Sequence, residues 1–153
     1  MIGPEVASAM YRTGIRGLDE EFGGVRRNEL TVVLTASNLT PSQVLAGLIW
    51  EAGVPTLVFT TQDSELIEMC EGYDVYIDPA GHRAFATIAE RARAARDSLG
   101  IELVVIENLR NVHGARYYDI DLPLRHEFAR LPASLGVALA VGWVSEYERD
   151  RPR

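Results

Sequence analysis

The sequence contains no lysine: its fifteen basic residues are all arginine. The chain therefore has no ammonium group that could reach the β- and γ-phosphates of a nucleotide, form a Schiff base or act as a general base. A GC-rich genome, which favours arginine codons, would explain the bias on its own. Whatever its origin, the absence excludes mechanisms that require a lysine.

Cysteine, histidine and long apolar runs are scarce as well. The single Cys70 cannot form an internal disulfide, which agrees with a reducing cytoplasm, and we expect a cytoplasmic protein. No apolar run reaches the roughly 18 residues of a membrane span. Residues 1–10 lack the basic and apolar regions of a secretory signal. These two observations predict no membrane partner. The three histidines show no metal-binding spacing, so we predict no metal site.

The composition is that of a globular chain of 153 residues, which fits a single domain over residues 1–153. Hydrophobic residues make up 47% and charged residues 24%, which excludes a disordered chain. The net charge of −7 argues against a strong, sequence-independent grip on DNA, although it leaves room for a local basic patch.

Short apolar, β-branched runs alternate with helical stretches along the chain. The longest of these runs are apolar at nearly every position, which is typical of parallel strands covered on both faces. The alternation predicts an α/β three-layer sandwich with a mostly parallel central sheet. The predicted strands are Leu30–Thr35, Thr56–Thr61, Val75–Ile77, Ile101–Glu107 and Val137–Val144. The predicted helices are Pro41–Ala52, Ser64–Glu71, His82–Leu99 and Leu122–Leu135.

One apolar stripe of the third predicted helix has the spacing of a face that packs on the sheet. Its members are Phe85, Ile88, Ala89, Ala92 and Leu99. The arginines between them are interpreted as a solvated face, with a nucleic-acid patch as the alternative.

The stretch "LTVVLTASNLTPSQVLAG", residues 30–47, reads as a strand, a tight loop and a helix. Thr40, Pro41 and Gln43 form a capping box at the start of the helix. A phosphate-binding loop at this place needs glycines, so that amides can curl round the phosphates, and a lysine for charge. Here every residue of 35–39 carries a side chain, and Pro41 removes one amide donor. Only Ser42 could offer a hydroxyl to a metal ion.

Upstream, "TGIRGLDEEFGGV" (Thr13–Val25) resembles the TG-x-x-x-LD-x-x-x-GG stretch that precedes the P-loop strand in RecA-like cores of the KaiC, RadA and DnaB group. "VVIENL" (Val104–Leu109) resembles the Walker B strand, and residues 124–153 resemble the helix and strand that follow it. The order of elements matches that of the DnaB-type replicative helicase ATPase core along nearly the whole chain. The resemblance implies a single RecA-like domain, shorter than the usual family core.

The resemblance places five residues of this sequence at degenerate nucleotide-site positions: Thr40, Pro41, Ser42, Gln62 and Glu107. Thr40 stands for a P-loop glycine, Pro41 for the lysine and Ser42 for the metal-binding hydroxyl. Gln62 stands at or beside the catalytic glutamate and cannot activate water. Glu107 replaces the Walker B aspartate and lengthens the reach to Mg²⁺.

Further losses point the same way. Trp143 lies near the position of a polar sensor, and we expect the family's later strands, with their arginine finger, to be absent. These parts supply most of the charge stabilisation in phosphoryl transfer. We therefore expect no catalytic residue and no cofactor, with ATP and Mg²⁺ as the less favoured alternative. The sequence predicts an inactive RecA/DnaB-like domain that associates with itself or with a helicase-like ATPase. An atypical nucleotide-binding ATPase or helicase fragment of DNA replication is the alternative.

The loop Asn108–Pro123 follows the Walker-B-like strand, at the edge where α/β proteins place ligands. It combines arginine, histidine and tyrosine at Arg110, His113, Arg116, Tyr117 and Tyr118. Arginine beside aromatic rings can hold single-stranded DNA by charge and stacking, although Asp119 and Asp121 reduce the charge. Tyrosine and arginine are equally common in protein interfaces. The sequence favours an ordinary loop or a protein contact here, with single-stranded DNA as the alternative.

Overall fold

The computed structural model describes residues 10–36, 41–79, 84–112 and 122–145. The strands are β1 (Met10–Tyr11), β2 (Val25–Arg26), β3 (Leu30–Ala36), β4 (Thr56–Phe59), β5 (Val75–Asp78), β6 (Leu103–Ile106) and β7 (Ala138–Ser145). The helices are α1 (Arg16–Phe22), α2 (Pro41–Ala52), α3 (Glu65–Met69), α4 (Phe85–Leu99) and α5 (Leu122–Leu135). A single 3₁₀ turn covers Leu109–Asn111.

Five strands form one parallel sheet in the order β3-β7-β6-β4-β5. Strands β4 and β6 are buried at every position, as their continuous apolar runs predict. Parallel neighbours require crossover connections, and helices supply them. The predicted α/β three-layer architecture with a mostly parallel sheet is confirmed.

Helices cover both faces of the sheet. On one face α4 and α5 enclose a core that contains Ile88, Phe128 and Leu135. On the other face α2 and α3 bury Leu45 and Leu66 against the sheet. Fully burying one such side chain contributes roughly 1.5–3 kcal/mol, so these two layers supply most of the driving force for the fold. No helix within the described ranges is long and apolar enough to cross a bilayer.

The boundaries of α2 and α5 agree with the predicted ones, whereas α4 begins three residues later than predicted. Ala84 has the extended angles φ −74° and ψ 149°, so the helix starts at Phe85, and His82 lies outside the described residues. The prediction that Leu99 faces the sheet was wrong, since 42% of it is exposed and Ala95 fills that stripe instead.

The amino-terminal TG…LD stretch is held by one carboxylate. Asp19 accepts hydrogen bonds from Thr13 N–H at 2.9 Å, Thr13 Oγ1 at 2.8 Å and Gly14 N–H at 3.0 Å. The Thr13 amide is the main reason that the pKa of Asp19 lies below its usual value. Gly14 has φ +83°, a left-handed conformation that favours glycine. The motif therefore has a structural role in this chain, which is to fix the turn ahead of α1.

Candidate functional site

The candidate site lies at the carboxyl ends of β4 and β6, where parallel α/β proteins bind ligands. Glu107 directly follows β6, and Thr60 directly follows β4. Ser64 is the N-cap of α3, and Ser42 is the second residue of α2. We call these four residues the hydroxyl–carboxylate cluster.

Three hydroxyls of the cluster surround one carboxylate. Ser42 Oγ donates to Glu107 Oε2 at 2.5 Å, and Thr60 Oγ1 donates to Oε1. Ser64 Oγ lies 2.7 Å from Oε1 and 2.8 Å from Oε2, while it accepts the Leu66 N–H at 3.1 Å. Ser42 and Thr60 are buried. Each oxygen of Glu107 is thus contacted by two hydroxyls, and the protein itself replaces the water that would otherwise solvate the charge.

Pro41 closes the cluster on the side of β7. It is the first residue of α2 and is buried. A Cβ added at Gly142 of β7 would lie 2.7 Å from Pro41 Cβ and 2.2 Å from the backbone oxygen of Glu107. Only a glycine permits so close an approach of β7, the end of β6 and the start of α2. The position that the resemblance assigns to a lysine is therefore occupied by a ring packed against the sheet.

Of the five predicted nucleotide-site positions, the structure brings Ser42 and Glu107 together and packs Pro41 beside them. Gln62 is exposed and makes none of the hydrogen bonds of the cluster. Its neighbour Asp63 accepts the Thr61 hydroxyl at 2.8 Å. Thr40 lies outside the described residues.

The predicted contact loop is described only at its beginning. Arg110 lies in the 3₁₀ turn, half-exposed, and its N–H donates to Asn108 Oδ1 at 3.0 Å. The other four predicted contact residues lie outside the described residues: His113, Arg116, Tyr117 and Tyr118. A nucleic-acid or protein contact through this loop stays a prediction.

Sequence reasoning missed Thr60 and Ser64. Both stand beside the carboxyl end of β4, whose register pairs Phe59 with Ile106 of β6. That pairing brings the residues after β4 to those after β6. The signal was a pair of hydroxyls after a buried strand, but its use required knowing that β4 and β6 are neighbours.

The negative charge of Glu107 also affects the pKa of a residue at the end of α3. Cys70, buried after α3, has a pKa raised to about 11, mainly by burial and further by Glu107. A thiol with so high a pKa is protonated at neutral pH and is a poor nucleophile. Within the four described ranges, no group of three histidine, cysteine or acidic side chains could hold a metal ion.

Comparison with known proteins identifies the fold of the chain. No protein-family model matches the chain, and no curated protein matches it. Among solved structures, it is similar to one described as a DnaB-like replicative helicase and its interactions with primase, with a TM-score of 0.67 and 11% sequence identity. The match covers 95% of this chain and 46% of that one, so the chain spans less than half of that helicase's length. At this identity the likeness shows the fold alone, which is the RecA-like α/β fold of a DnaB-type helicase.

Proposed function

We propose that the chain is a catalytically inactive RecA/DnaB-like domain that works by associating with other proteins. Its partner is a second copy or a helicase-like ATPase, for which it would serve as an accessory or regulatory subunit. The observation that carries the proposal is the hydroxyl–carboxylate cluster, in which protein hydroxyls saturate the one carboxylate at the Walker B position.

Magnesium chemistry needs free oxygen ligands. Mg²⁺ takes octahedral ligands at about 2.0–2.1 Å and keeps several waters, which must themselves hydrogen-bond to nearby carboxylates. In this chain Ser42 donates directly to Glu107, and Thr60 and Ser64 occupy the remaining acceptor positions. Binding a hydrated metal would require breaking these part-buried hydrogen bonds, which supports an inactive site.

The second argument concerns the phosphates. Pro41 has neither an amide hydrogen nor a cationic side chain, and it is buried against Gly142. A lysine at this position would have to displace that packing before it could reach a phosphate. The chain contains no lysine elsewhere that could substitute for it. Phosphoryl transfer depends on such positioned charges for most of its rate.

The alternative is an atypical nucleotide-binding ATPase or helicase fragment. It is favoured by the contact between Ser42 and Glu107, since a metal-binding hydroxyl and a Walker B acid must lie close together in any such site. In that case ATP and Mg²⁺ would be the cofactors, and the hydroxyls would turn from the carboxylate to the metal.

Isothermal titration of the native protein with ATP and Mg²⁺ separates the two. We expect no binding heat and no phosphate release, because the groups that would compensate the phosphate charge are missing. Micromolar binding, or hydrolysis that Ser42→Ala abolishes, would establish the alternative.

The other contact considered for residues 108–123 is single-stranded DNA. Fluorescence anisotropy at low salt tests it, with Arg116→Ala/Tyr117→Ala as the comparison.

A further inference from the structure

An open cavity of about 320 Å³ lies between the amino-terminal turn at residues 13–15 and the outer side of α2. The residues of α2 that line it share one face of the helix and include Gln43, Gly47, Trp50 and Glu51. The cavity is separate from the hydroxyl–carboxylate cluster, whose Ser42 is buried. Ligand pockets measure roughly 300–1,000 Å³, so a cavity of this size suits a single side chain.

Two glycines hold the turn close to α2. A Cβ added at Gly47 would lie 3.1 Å from the Thr13 carbonyl oxygen, and one added at Gly14 would lie 3.2 Å from Glu51 Cγ. Both distances are shorter than an ordinary van der Waals contact, so a larger residue at either position would push the turn from the helix. The stem of Glu51 is therefore packed on the turn, and the residue forms part of the cavity wall.

Trp50 forms an aromatic wall of the cavity whose orientation is fixed from outside. Its Nε1–H donates to the Met69 carbonyl at 2.8 Å, and its ring stacks with Tyr73 at a centroid distance of 6.2 Å. Tyr73 does not line the cavity, so the two rings leave one side of the indole to the cavity. Trp50 is nevertheless 44% exposed. A ligand would meet an ordered aromatic surface, with little side-chain freedom left to lose on binding.

The charge of Glu51 is uncompensated. Within the described ranges its carboxylate forms no ion pair and accepts no hydrogen bond. It lies in the last turn of α2, where the helix dipole is negative, and that turn contains no basic residue. The exposed Glu68, Glu71 and Asp74 follow along the chain and add to the negative potential. Both the helix end and the carboxylate therefore favour a cation at this place.

The chain offers no cation of its own from the elements around α2. Residues 28–81, which include α2, α3 and the strands between them, contain no lysine, arginine or histidine. In the amino-terminal segment, Arg16 is paired with Glu20 at 3.0 Å, and Arg12 lies close enough to Asp19 to lower its pKa. A cation that reaches Glu51 thus has to be supplied by another molecule.

We propose that this cavity binds an arginine side chain that a basic segment of a partner protein presents. The inference rests on the proposed function, association with other proteins, and names the surface and the chemistry of the partner. A guanidinium group is planar, so it can stack on the Trp50 indole while its N–H groups donate to the Glu51 carboxylate. The Gln43 amide oxygen is a further acceptor at the same wall. Lysine offers the charge without the planar fork and fits less well.

A nuclear magnetic resonance titration of the full chain with N-acetylarginine amide tests the occupant. The indole N–H signal of Trp50 and the backbone N–H signals of Gly14 and Gly47 should shift and saturate. The indole signal of Trp143, which does not line the cavity, should stay in place. The matched probe N-acetylcitrulline amide has the shape of arginine without its charge, and it should shift these signals far less. The lysine probe should fall between the two.

Two variants and one control locate the binding. Glu51→Gln removes the charge at constant size, and Trp50→Leu removes the ring while keeping an apolar side chain. Each should weaken the arginine probe by roughly twofold to fivefold, the range for exposed ion pairs and cation–π contacts. In Trp50→Leu the Gly14 and Gly47 signals report the binding. Glu68→Gln, an equal loss of charge on α3 outside the cavity, should bind like the native protein, and circular dichroism checks that each variant is folded.

The outcomes separate this inference from the proposed function. A titration without saturable shifts, or equal shifts with arginine and citrulline, overturns the cationic occupant. Equal weakening by Glu51→Gln and Glu68→Gln would reduce the effect to overall charge and overturn the site. If the native protein binds ATP and also binds the arginine probe, the proposed function is overturned and the cavity stands. If it binds neither, this inference alone is overturned.

Discussion

Glu107→Gln removes the negative charge of the hydroxyl–carboxylate cluster while keeping its shape. The native carboxylate accepts from three hydroxyls, and glutamine keeps one carbonyl oxygen as an acceptor. Its amide group is a donor, so the hydroxyl on that side must rotate to accept instead. The substitution therefore weakens every bond in the cluster without opening a cavity, and it isolates the energetic role of the charge.

The size of the effect follows from the three hydroxyl contacts. A hydrogen bond to a charged group contributes about 1.5–3 kcal/mol, whereas a neutral one contributes about 1 kcal/mol. Three weakened bonds would lose about 3 kcal/mol, and relief from burying a charge returns part of it. A net loss of about 2 kcal/mol remains, which for a chain of this size lowers the melting temperature by about 4–8 °C.

Thermal and urea unfolding followed by circular dichroism measure the change. Glu90→Gln, on the exposed side of α4, serves as the control and should unfold like the native protein. The result that would refute the reasoning is a Glu107→Gln protein with an unchanged or higher melting temperature. Groups kept for ligand binding often reduce stability, so stabilisation by Gln would indicate a working metal site.

Three further predictions concern single residues. Asp19→Asn should lower stability at neutral pH, because the hydrogen bonds that lower the pKa of Asp19 stabilise the fold only while its carboxylate is ionised. The difference in stability from the native protein should vanish as the pH falls below about 4. Melts of the two proteins that differ by a constant amount across pH would contradict this. Burial raises the pKa of Cys70 from 9.0 to about 11, so the protonated thiol stabilises the fold below pH 9, and this contribution is lost as the pH rises through 11. Cys70→Ala should therefore flatten the loss of stability over that interval in urea titrations, and an equally steep loss would argue against it. Gly142→Ala should destabilise by about 3 kcal/mol through overpacking against Glu107, and a melting temperature equal to that of native protein would show that the end of β6 can move away.

The sequence was sufficient for the layers of the fold and insufficient for the details of the site. Continuous apolar runs predicted the buried strands, because burial on both faces leaves no alternation to read. Helix α1 was missed for the opposite reason: it buries none of its residues, and Leu18 and Phe22 stay exposed. Its position depends on the hydrogen bonds of Asp19, which no hydrophobic period reveals.

Strand order explains why sequence reasoning missed half of the cluster. Ser42 and Glu107 were found because a family pattern marks their positions. Thr60 and Ser64 carry no such mark. Their role depends on β4 lying beside β6, although α3, β5 and α4 separate those two strands along the chain. A single sequence does not show which distant strands pair. Motifs therefore do not reveal residues that only the strand order of the sheet brings together.

The cluster also shows why residues that resemble a nucleotide site need not serve one. Replacing Glu107 alone with an apolar residue would leave three hydroxyls without their acceptor, two of them buried. Each unsatisfied buried group destabilises by about 1–3 kcal/mol, whereas replacing all partners by apolar groups of the same shape can be nearly neutral. Single substitutions are therefore unfavourable and only a concerted change is tolerated. A serine and an acid at positions that resemble Walker motifs can be held in place by each other, with no nucleotide required to explain either.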